Sequence, residues 1–367
     1  MRLLFPTLLF VLVFTTAHSQ IDFSVFDRPF VASDAQKEAL KSALGAMPKN
    51  VPLELDTLEI QEVKGGTRLL ISFLAEPYDS IFNTAEDRIQ AYLFIPDTKA
   101  EKLPAIVAIH QDGPNSHIGK KEAAGIAGDS TLFYGKELFD RGYVVICPDR
   151  WGHAMRRRIP NPELEQENEK QEERAYSHWL GQLIMNGRTD TGKEVYDLTR
   201  SVDVLYQYSV VDTNRIGAIG HSGGGYNLVP FVFYDERVDL AVSSCGFFET
   251  TYWFHENAAK KRSSSLALPG LLQVGIASDF VAYIAPRPLL LTRGLYEWGK
   301  SGKWGGFSKL DVDEYQHMER YVQPEYDRLG ASKNFQVIYF DEEDGQHAMP
   351  PKLKNRVYDW IDAHLKK

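Results

Sequence analysis

Residues 215–225 read Arg-Ile-Gly-Ala-Ile-Gly-His-Ser-Gly-Gly-Gly, an apolar run that ends in the pattern Gly-x-Ser-x-Gly. This pattern is typical of a nucleophile elbow, a sharp turn between a strand and a helix that exposes one serine above a sheet. The serine backbone is strained in such a turn, and glycines at 220 and 224 let the strand and the helix meet closely. The sequence therefore predicts Ser222 as a nucleophile, with helix N–H groups beside it where an oxyanion would form.

The chain around this turn alternates apolar strand candidates with helical patterns. Strands that are almost wholly apolar are typical of a parallel sheet buried on both faces. The predicted strands are Ala105–His110, Tyr143–Pro148, Ile216–Gly220, Leu240–Ser244, Pro288–Thr292 and Phe335–Phe340. The predicted helices are Leu132–Arg141, Leu198–Val210, Gly224–Phe233, Asp313–Leu329 and Lys352–Leu365. This order predicts an α/β fold with a doubly wound, mostly parallel sheet.

An antiparallel start precedes that alternation. Strand patterns over Leu58–Val63 and Arg68–Ala75 flank a Gly65-Gly66 turn, and a third pattern covers Ile89–Ile95. Residues 20–52 form a lead-in whose first part is amphipathic and weakly helical.

Residues 1–19 resemble a cleavable signal peptide. Arg2 gives a positive start, Leu3–Phe14 an apolar run, and Ala17-His18-Ser19 a small-residue site for cleavage after Ser19. The apolar run is short for a membrane span. We therefore expect a secreted or periplasmic protein without stable membrane insertion once the signal is removed.

The charge and the cysteine content of the chain limit which partners and which covalent cross-links are expected. The net charge is −9 and no basic stripe stands out, so nucleic acid is not an expected partner. Cys147 and Cys245 end apolar runs and are predicted as small core residues rather than a disulfide.

Two segments, 159–196 and 247–284, are longer than plain connections and are predicted as insertions. The first is acidic at its start and then carries Tyr176, His178 and Trp179. The second is rich in aromatic residues: Phe247, Phe248, Tyr252, Trp253 and Phe254. They are interpreted either as walls or lids over a site, or as surface helices packed on the body of the domain.

A serine needs a base to take its proton and an acid to hold that base. In this architecture the chain order is nucleophile, acid, histidine. His347 follows the last predicted strand, which is where the base is expected. Glu297 is the carboxylate nearest to the end of strand Pro288–Thr292 and is predicted as the acid, with a surface salt bridge to Arg293 or Lys300 as the alternative role. The alternatives for the acid are Asp311 and Asp313, and more remotely Glu249.

The oxyanion hole requires two N–H groups. The residue after the nucleophile, Gly223, supplies one, and the loop after strand Ala105–His110 supplies the other, predicted as Gln111. His110 is interpreted as ordering that loop rather than as an acid or base.

Several motifs together resemble the α/β-hydrolase superfamily, and within it the dienelactone hydrolase and acetyl-xylan-esterase-like branch. They are the elbow at 220–224, His110-Gln111-Asp112-Gly113, Asp344-Gly345-Gln346-His347, and the stretches 142–152, 197–203 and 284–290. The resemblance implies one α/β-hydrolase domain over 53–367 and a serine esterase that needs no metal or cofactor. The sequence departs from the dienelactone type, which uses a cysteine nucleophile and an aspartate acid, and from glucuronoyl esterases, which have arginine where Gly223 stands.

These observations predict an exported serine ester hydrolase that acts through an acyl-enzyme on a carboxylic ester, with a carbohydrate ester as one candidate substrate. A peptidase of the prolyl oligopeptidase kind shares the elbow and is disfavoured because no propeller domain precedes the hydrolase pattern. A non-catalytic binding protein on the same fold is the third reading, which the intact Ser222, His347 and Glu297 argue against. The sequence leaves the oligomeric state open.

Overall fold

The central strands are so apolar that both of their faces must be covered, and the computed structural model shows how. It describes residues 28–77, 86–112, 117–156, 177–249, 267–297, 299–300 and 302–366. The predicted signal peptide therefore lies outside the described residues, as do the middle parts of both predicted insertions. Several side chains at the start of the longest helix, over 302–308 and at 310 and 311, also lie outside them.

Nine strands form one sheet in the order β1-β2-β3-β5-β4-β6-β7-β8-β9. The strands are β1 Asp56–Val63, β2 Gly66–Glu76, β3 Asp87–Pro96, β4 Leu103–Ile109, β5 Val144–Pro148, β6 Val211–His221, β7 Leu240–Ser244, β8 Leu289–Gly294 and β9 Phe335–Phe340. The pairs β1–β2, β2–β3 and β3–β5 are antiparallel, and all pairs from β5 to β9 are parallel. The predicted mostly parallel sheet with an antiparallel start is confirmed.

The helices in the described part of the chain are α1 Asp34–Ala43, α2 Lys120–Ala123, α3 Tyr134–Asp140, α4 over 177–185, α5 Asp190–Leu205, α6 Gly223–Tyr234, α7 Leu271–Val274, α8 Ala277–Ile284, α9 Gly302–Arg328 and α10 Pro351–Leu365. These helices lie on both faces of the sheet and cover its apolar strands. Alternate residues of β4 show this, since Ala105 and Val107 join one hydrophobic core and Ile106 and Ala108 join the other.

The first core contains buried residues of α5, α6, α8 and α9, and the second contains those of α3 and α10. The stripe predicted on the last helix is buried in the second core: Leu353, Val357, Trp360, Ile361 and Leu365. Both cysteines are buried and free, as predicted.

Two predicted helix starts are wrong. The helix predicted from Leu198 begins at Asp190, because the Thr189 hydroxyl caps it by accepting the Gly192 N–H at 2.8 Å. Its first turns carry polar residues that form buried ion pairs, so they do not show the apolar stripe that the prediction relied on. The helix predicted from Asp313 begins at Gly302. The segment from Asp190 to Tyr196, predicted as the end of an insertion, thus belongs to α5.

Candidate active site

Ser222 stands between β6 and α6 with φ 53° and ψ −123°. A non-glycine residue rarely adopts positive φ, and such strain is found mainly at functional sites. The neighbouring strand β7 stabilises this conformation, because the Ser222 N–H donates to the Ser244 carbonyl at 2.9 Å. The structure thus contains the strained strand-to-helix turn that the sequence predicted.

The glycines of the motif allow close backbone contacts. A Cβ added to Gly220 would lie 2.5 Å from the Gly224 carbonyl group. A Cβ added to Gly224 would overlap the Ile109 carbonyl at the end of β4. The helix α6 can therefore begin directly against β6 and against the loop after β4 only when these positions lack side chains.

The predicted acid and base meet beside this turn. Glu297 follows β8 and His347 follows β9, and the Glu297 Oε2 to His347 Nδ1 distance is 3.1 Å. The rings of His347 and His221 have centroids 4.8 Å apart, which locates the pair next to the residue before Ser222. Glu297 has 1% of its side chain exposed and His347 has 33%. With Nδ1 donating to the carboxylate, Nε2 is left to accept a proton.

Glu297 is fixed by two further contacts, with Gly294 and with Arg293. Its Oε1 accepts the Gly294 N–H at 3.0 Å, and Arg293 Nη1 lies 3.3 Å from its Oε2. Burial alone would raise the pKa of the Glu297 carboxyl, but the Arg293 charge and the His347 hydrogen bond lower it to about 2. Glu297 is therefore ionised whenever a hydrolase of this kind would operate.

Cys245 lies directly behind this pair. Atoms of Cys245, Glu297 and His347 that could bind a metal lie within 4.8 Å of one another. Burial raises the pKa of the Cys245 thiol well above its usual value, which keeps it protonated at neutral pH. In the part of the chain that the structure describes, a second such group comprises Glu76, Asp87 and Asp197, and their charges are already paired with Lys193 and Arg156.

The loop after β4 is ordered by His110, as predicted. The Arg150 N–H donates to His110 Nε2 at 3.0 Å, so Nδ1 carries the proton and donates to the Gln111 carbonyl at 2.7 Å. Arg150 also donates to Asp112 Oδ1 at 2.6 Å. The Asp112 carboxylate lies against Gly223, since a Cβ added to Gly223 would overlap both of its oxygens. The assignment of Gln111 and Gly223 as oxyanion donors stays a prediction.

The alternative acids occupy other positions. Glu249 is fully buried and accepts the N–H groups of Ala277 at 3.0 Å and Ser278 at 2.7 Å, which stabilises the N-terminus of α8. Asp311 and Asp313 lie within α9, and the Asp311 side chain is outside the described residues. Sequence reasoning missed Arg150, and it offered Arg293 only as a surface partner of Glu297, whereas the structure buries that pair. The one available signal was a charged residue at the end of an apolar strand in each case.

Comparison with known proteins agrees with this architecture. The family model described as "Prolyl oligopeptidase family" matches residues 177–265. A curated relative, the "Putative hydrolase YtaP" of Bacillus subtilis (strain 168), is 24% identical over 263 residues, which are 71% of this chain and 80% of that protein. Both matches support a hydrolase of the esterase or S9 peptidase kind.

Two solved structures show the same fold. One is the "putative acetyl xylan esterase" from Bacteroides fragilis NCTC 9343, with a TM-score of 0.67 and 16% identity over 90% of this chain and 86% of that chain. The other is a glucuronoyl esterase from Solibacter usitatus, with a TM-score of 0.58 and 12% identity over 90% of this chain and 92% of that chain. The predicted α/β-hydrolase fold is confirmed. In the described residues, no helix combines the length and the apolar character needed to cross a membrane.

Proposed function

We propose that this α/β-hydrolase is a serine ester hydrolase with Ser222 as its nucleophile. The observation that carries the proposal is the strained Ser222 backbone, φ 53°, beside a histidine whose Nδ1 is 3.1 Å from a buried glutamate. A serine forced into this conformation, with a base and an ionised acid next to it, has the parts that nucleophilic catalysis needs.

In the proposed mechanism Ser222 Oγ attacks the ester carbonyl while His347 Nε2 takes the hydroxyl proton. The Gly223 and Gln111 N–H groups stabilise the oxyanion of the tetrahedral intermediate. His347 then gives the proton to the leaving alcohol, and an acyl-enzyme remains on Ser222. Water, deprotonated by the same histidine, releases the acid. Glu297 holds the imidazole in the required tautomer and stabilises its charged form.

The substrate class we propose is a carbohydrate ester. Its support is the likeness of the fold to an acetyl xylan esterase and a glucuronoyl esterase.

The first test compares the hydrolysis of p-nitrophenyl acetate by residues 20–367, the chain without its predicted signal peptide, with that by the Ser222→Ala variant of the same chain. We expect turnover by the wild type and its loss in the variant. Labelling with a fluorophosphonate supports the assignment if it modifies the wild type at Ser222 and leaves the variant unmodified. A folded wild type that neither turns over the ester nor takes the label is a non-catalytic protein, and the proposal is then wrong.

The match to the prolyl oligopeptidase family favours a second candidate, a serine peptidase using the same three residues. Esterase and peptidase differ in the leaving group. The wild type should therefore be assayed on a peptidyl-proline p-nitroanilide in parallel with the ester. A higher kcat/KM on the anilide than on the ester would favour the peptidase.

We also propose that the protein is exported, on the basis of residues 1–19 alone. N-terminal sequencing of the protein from a culture supernatant or a periplasmic fraction should begin at Gln20. Full-length protein in the cytoplasm would contradict this.

A further inference from the structure

We propose that Asp112 is a specificity-determining residue that disfavours esters carrying a negative charge near the scissile bond. The inference rests on the proposed ester hydrolysis and concerns which esters the site accepts. The carboxylate is at the predicted oxyanion hole, directly after Gln111 and against the α-carbon of Gly223. It is therefore close to where the carbonyl group of any substrate must bind.

Asp112 is held in place, yet it is exposed. Arg150 Nη1 donates to its Oδ1 at 2.6 Å, and His153 Nε2 lies 3.7 Å from the same oxygen. Even so, 57% of the Asp112 side chain is exposed, whereas only 5% of the Arg150 side chain is. The carboxylate is thus fixed by Arg150 and lies against Gly223, while more than half of the side chain is open to molecules that approach the site.

Arg150 does not cancel this charge at the surface. Its guanidinium is buried and turns its second nitrogen away from Asp112, since Nη2 lies 3.3 Å from Glu194 Oε1. Burial lowers the pKa of His153 to about 4, so His153 is neutral at pH 7 and adds no positive charge. The group that faces a substrate is thus the negative end of the Arg150–Asp112 pair.

The physical consequence is a charge preference. Two like charges about 6 Å apart that are both well exposed to water, with an effective dielectric constant of about 40–80, repel enough to change a rate constant by about three- to tenfold at low salt, and added salt screens part of this. A carboxylate also accepts hydrogen bonds from hydroxyl groups, so the same residue is compatible with neutral, hydroxyl-rich substrates. Asp112 therefore favours neutral acyl groups over anionic ones.

The test compares two esters with acyl chains of equal length, p-nitrophenyl butyrate and mono-p-nitrophenyl succinate, on the wild type and on Asp112→Asn. The measured quantity is the ratio of kcat/KM on the succinate to kcat/KM on the butyrate. Because both esters are assayed on one preparation, the ratio does not depend on the fraction of folded enzyme. We expect Asp112→Asn to raise the ratio by about three- to tenfold at low ionic strength.

Asp140→Asn is the matched control, since it removes an equal charge from the exposed pair with Lys136 on α3. It should leave the ratio unchanged. An equal change of both kcat/KM values in Asp112→Asn, in either direction, would show that Asp112 only supports the loop or opposes the oxyanion, and the inference is then overturned. A folded wild type that hydrolyses neither of these esters nor p-nitrophenyl acetate, and does not take the fluorophosphonate label, overturns the proposed function and the inference with it. A wild type that hydrolyses the butyrate, with a ratio that does not move in Asp112→Asn, overturns only the inference.

Discussion

Glu297 differs from the other candidate acids of the same chain region in its burial and its contacts. It is buried, it accepts the Gly294 N–H, and it contacts both Arg293 and His347. We therefore expect Glu297→Ala to lower kcat by about three to four orders of magnitude, because His347 loses its orientation and the partner of its charged form. Hydrolysis of p-nitrophenyl acetate at saturating substrate measures this.

The matched controls are Asp311→Ala and Asp313→Ala, which remove the alternative acids on α9. Both should keep kcat within a few-fold of the wild type. A large loss in either control together with a small loss in Glu297→Ala would reassign the acid.

The same carboxylate should also appear in the pH dependence of stability. Its pKa is lowered from 4.5 to about 2 in the folded protein, so the unfolded chain binds the proton more tightly. The stabilisation is therefore complete above pH 4.5 and is lost as the pH falls toward 2. We expect the wild type to exceed Glu297→Gln by about 3 kcal/mol at pH 6, and by much less at pH 3.

Urea unfolding of both proteins at several pH values measures that difference. A gap between wild type and variant that stays constant from pH 6 to pH 3 would mean that Glu297 has the same pKa in the folded and unfolded states. The comparison does not depend on catalysis, so it tests the ionisation of Glu297 separately from its proposed role.

At the scale of the element, the turn from β6 to α6 depends on backbone contacts that only glycine allows. A Cβ on Gly224 would overlap the Ile109 and His110 carbonyls, and a rigid sheet edge cannot move away. We expect Gly224→Ala to destabilise the fold by more than about 2 kcal/mol, and to reduce esterase activity further by displacing Ser222.

Gly181→Ala is the matched control for that substitution. Gly181 lies in α4, its φ is not positive, and an added Cβ would meet nothing within 4 Å. Alanine at this position should therefore leave the free energy of unfolding unchanged or raise it by up to about 1 kcal/mol. The melting temperature should follow in the same direction. Thermal unfolding of both variants and the wild type measures the change in melting temperature. An equal change in the two variants would contradict the role assigned to Gly224.

The elements that sequence predicts well are those with one strong local signal. Strand β7 and strand β9 have the predicted bounds, and the elbow is where the Gly-x-Ser-x-Gly pattern indicated. The start of α5 was missed because its first turns bury Lys193 and Glu194, polar residues that a periodicity argument assigns to solvent. Burial of a charge depends on partners from distant segments, which no local window contains.

Residues of the candidate active site are also predicted well where they have a strong local signal in the sequence. Ser222 and His347 were predictable, because the motif and the chain order determine them. The contact of Arg150 with Asp112 was not predicted, since it joins segments 38 residues apart. Arg293 is only four residues from Glu297, and the sequence offered it as a surface partner, but the burial of that pair beside His347 depends on the folded loops. The burial and contacts of the predicted acid are thus tertiary, while the proposed nucleophile and base are marked locally.

At the scale of the whole molecule, a buried ionic network joins the antiparallel part of the sheet to the parallel part. Lys193 on α5 contacts Glu76 of β2 at 2.7 Å, Asp87 of β3 at 2.6 Å and Asp197 of its own helix at 2.7 Å. Arg156, from the segment after β5, contacts Asp87 and also Asp197 at 2.8 Å. The network fixes the segment that follows β5 and leads into the first insertion, and so supports the side of the site near Trp151.

Removing one cation from this network should cost far more than removing a surface cation. Lys193→Met leaves one buried and two half-buried carboxylates with only Arg156 and Arg188, among the described residues, to neutralise them, and breaking a buried pair typically costs about 3–5 kcal/mol. Lys136→Met removes an exposed pair with Asp140 and should cost less than about 0.5 kcal/mol. Urea unfolding measures both values.

The pH dependence of the Lys193→Met deficit separates lost charge pairing from lost packing. Without Lys193, the pKa values of Glu76, Asp87 and Asp197 rise in the folded state, so folding takes up protons and the variant gains stability as the pH falls. The deficit should therefore be smaller at pH 5 than at pH 7.5. A cavity or a lost hydrophobic contact carries no such dependence, so a deficit equal at both pH values would assign the effect to packing. In that case charge pairing would not be what stabilises the contact of α5 with β2 and β3.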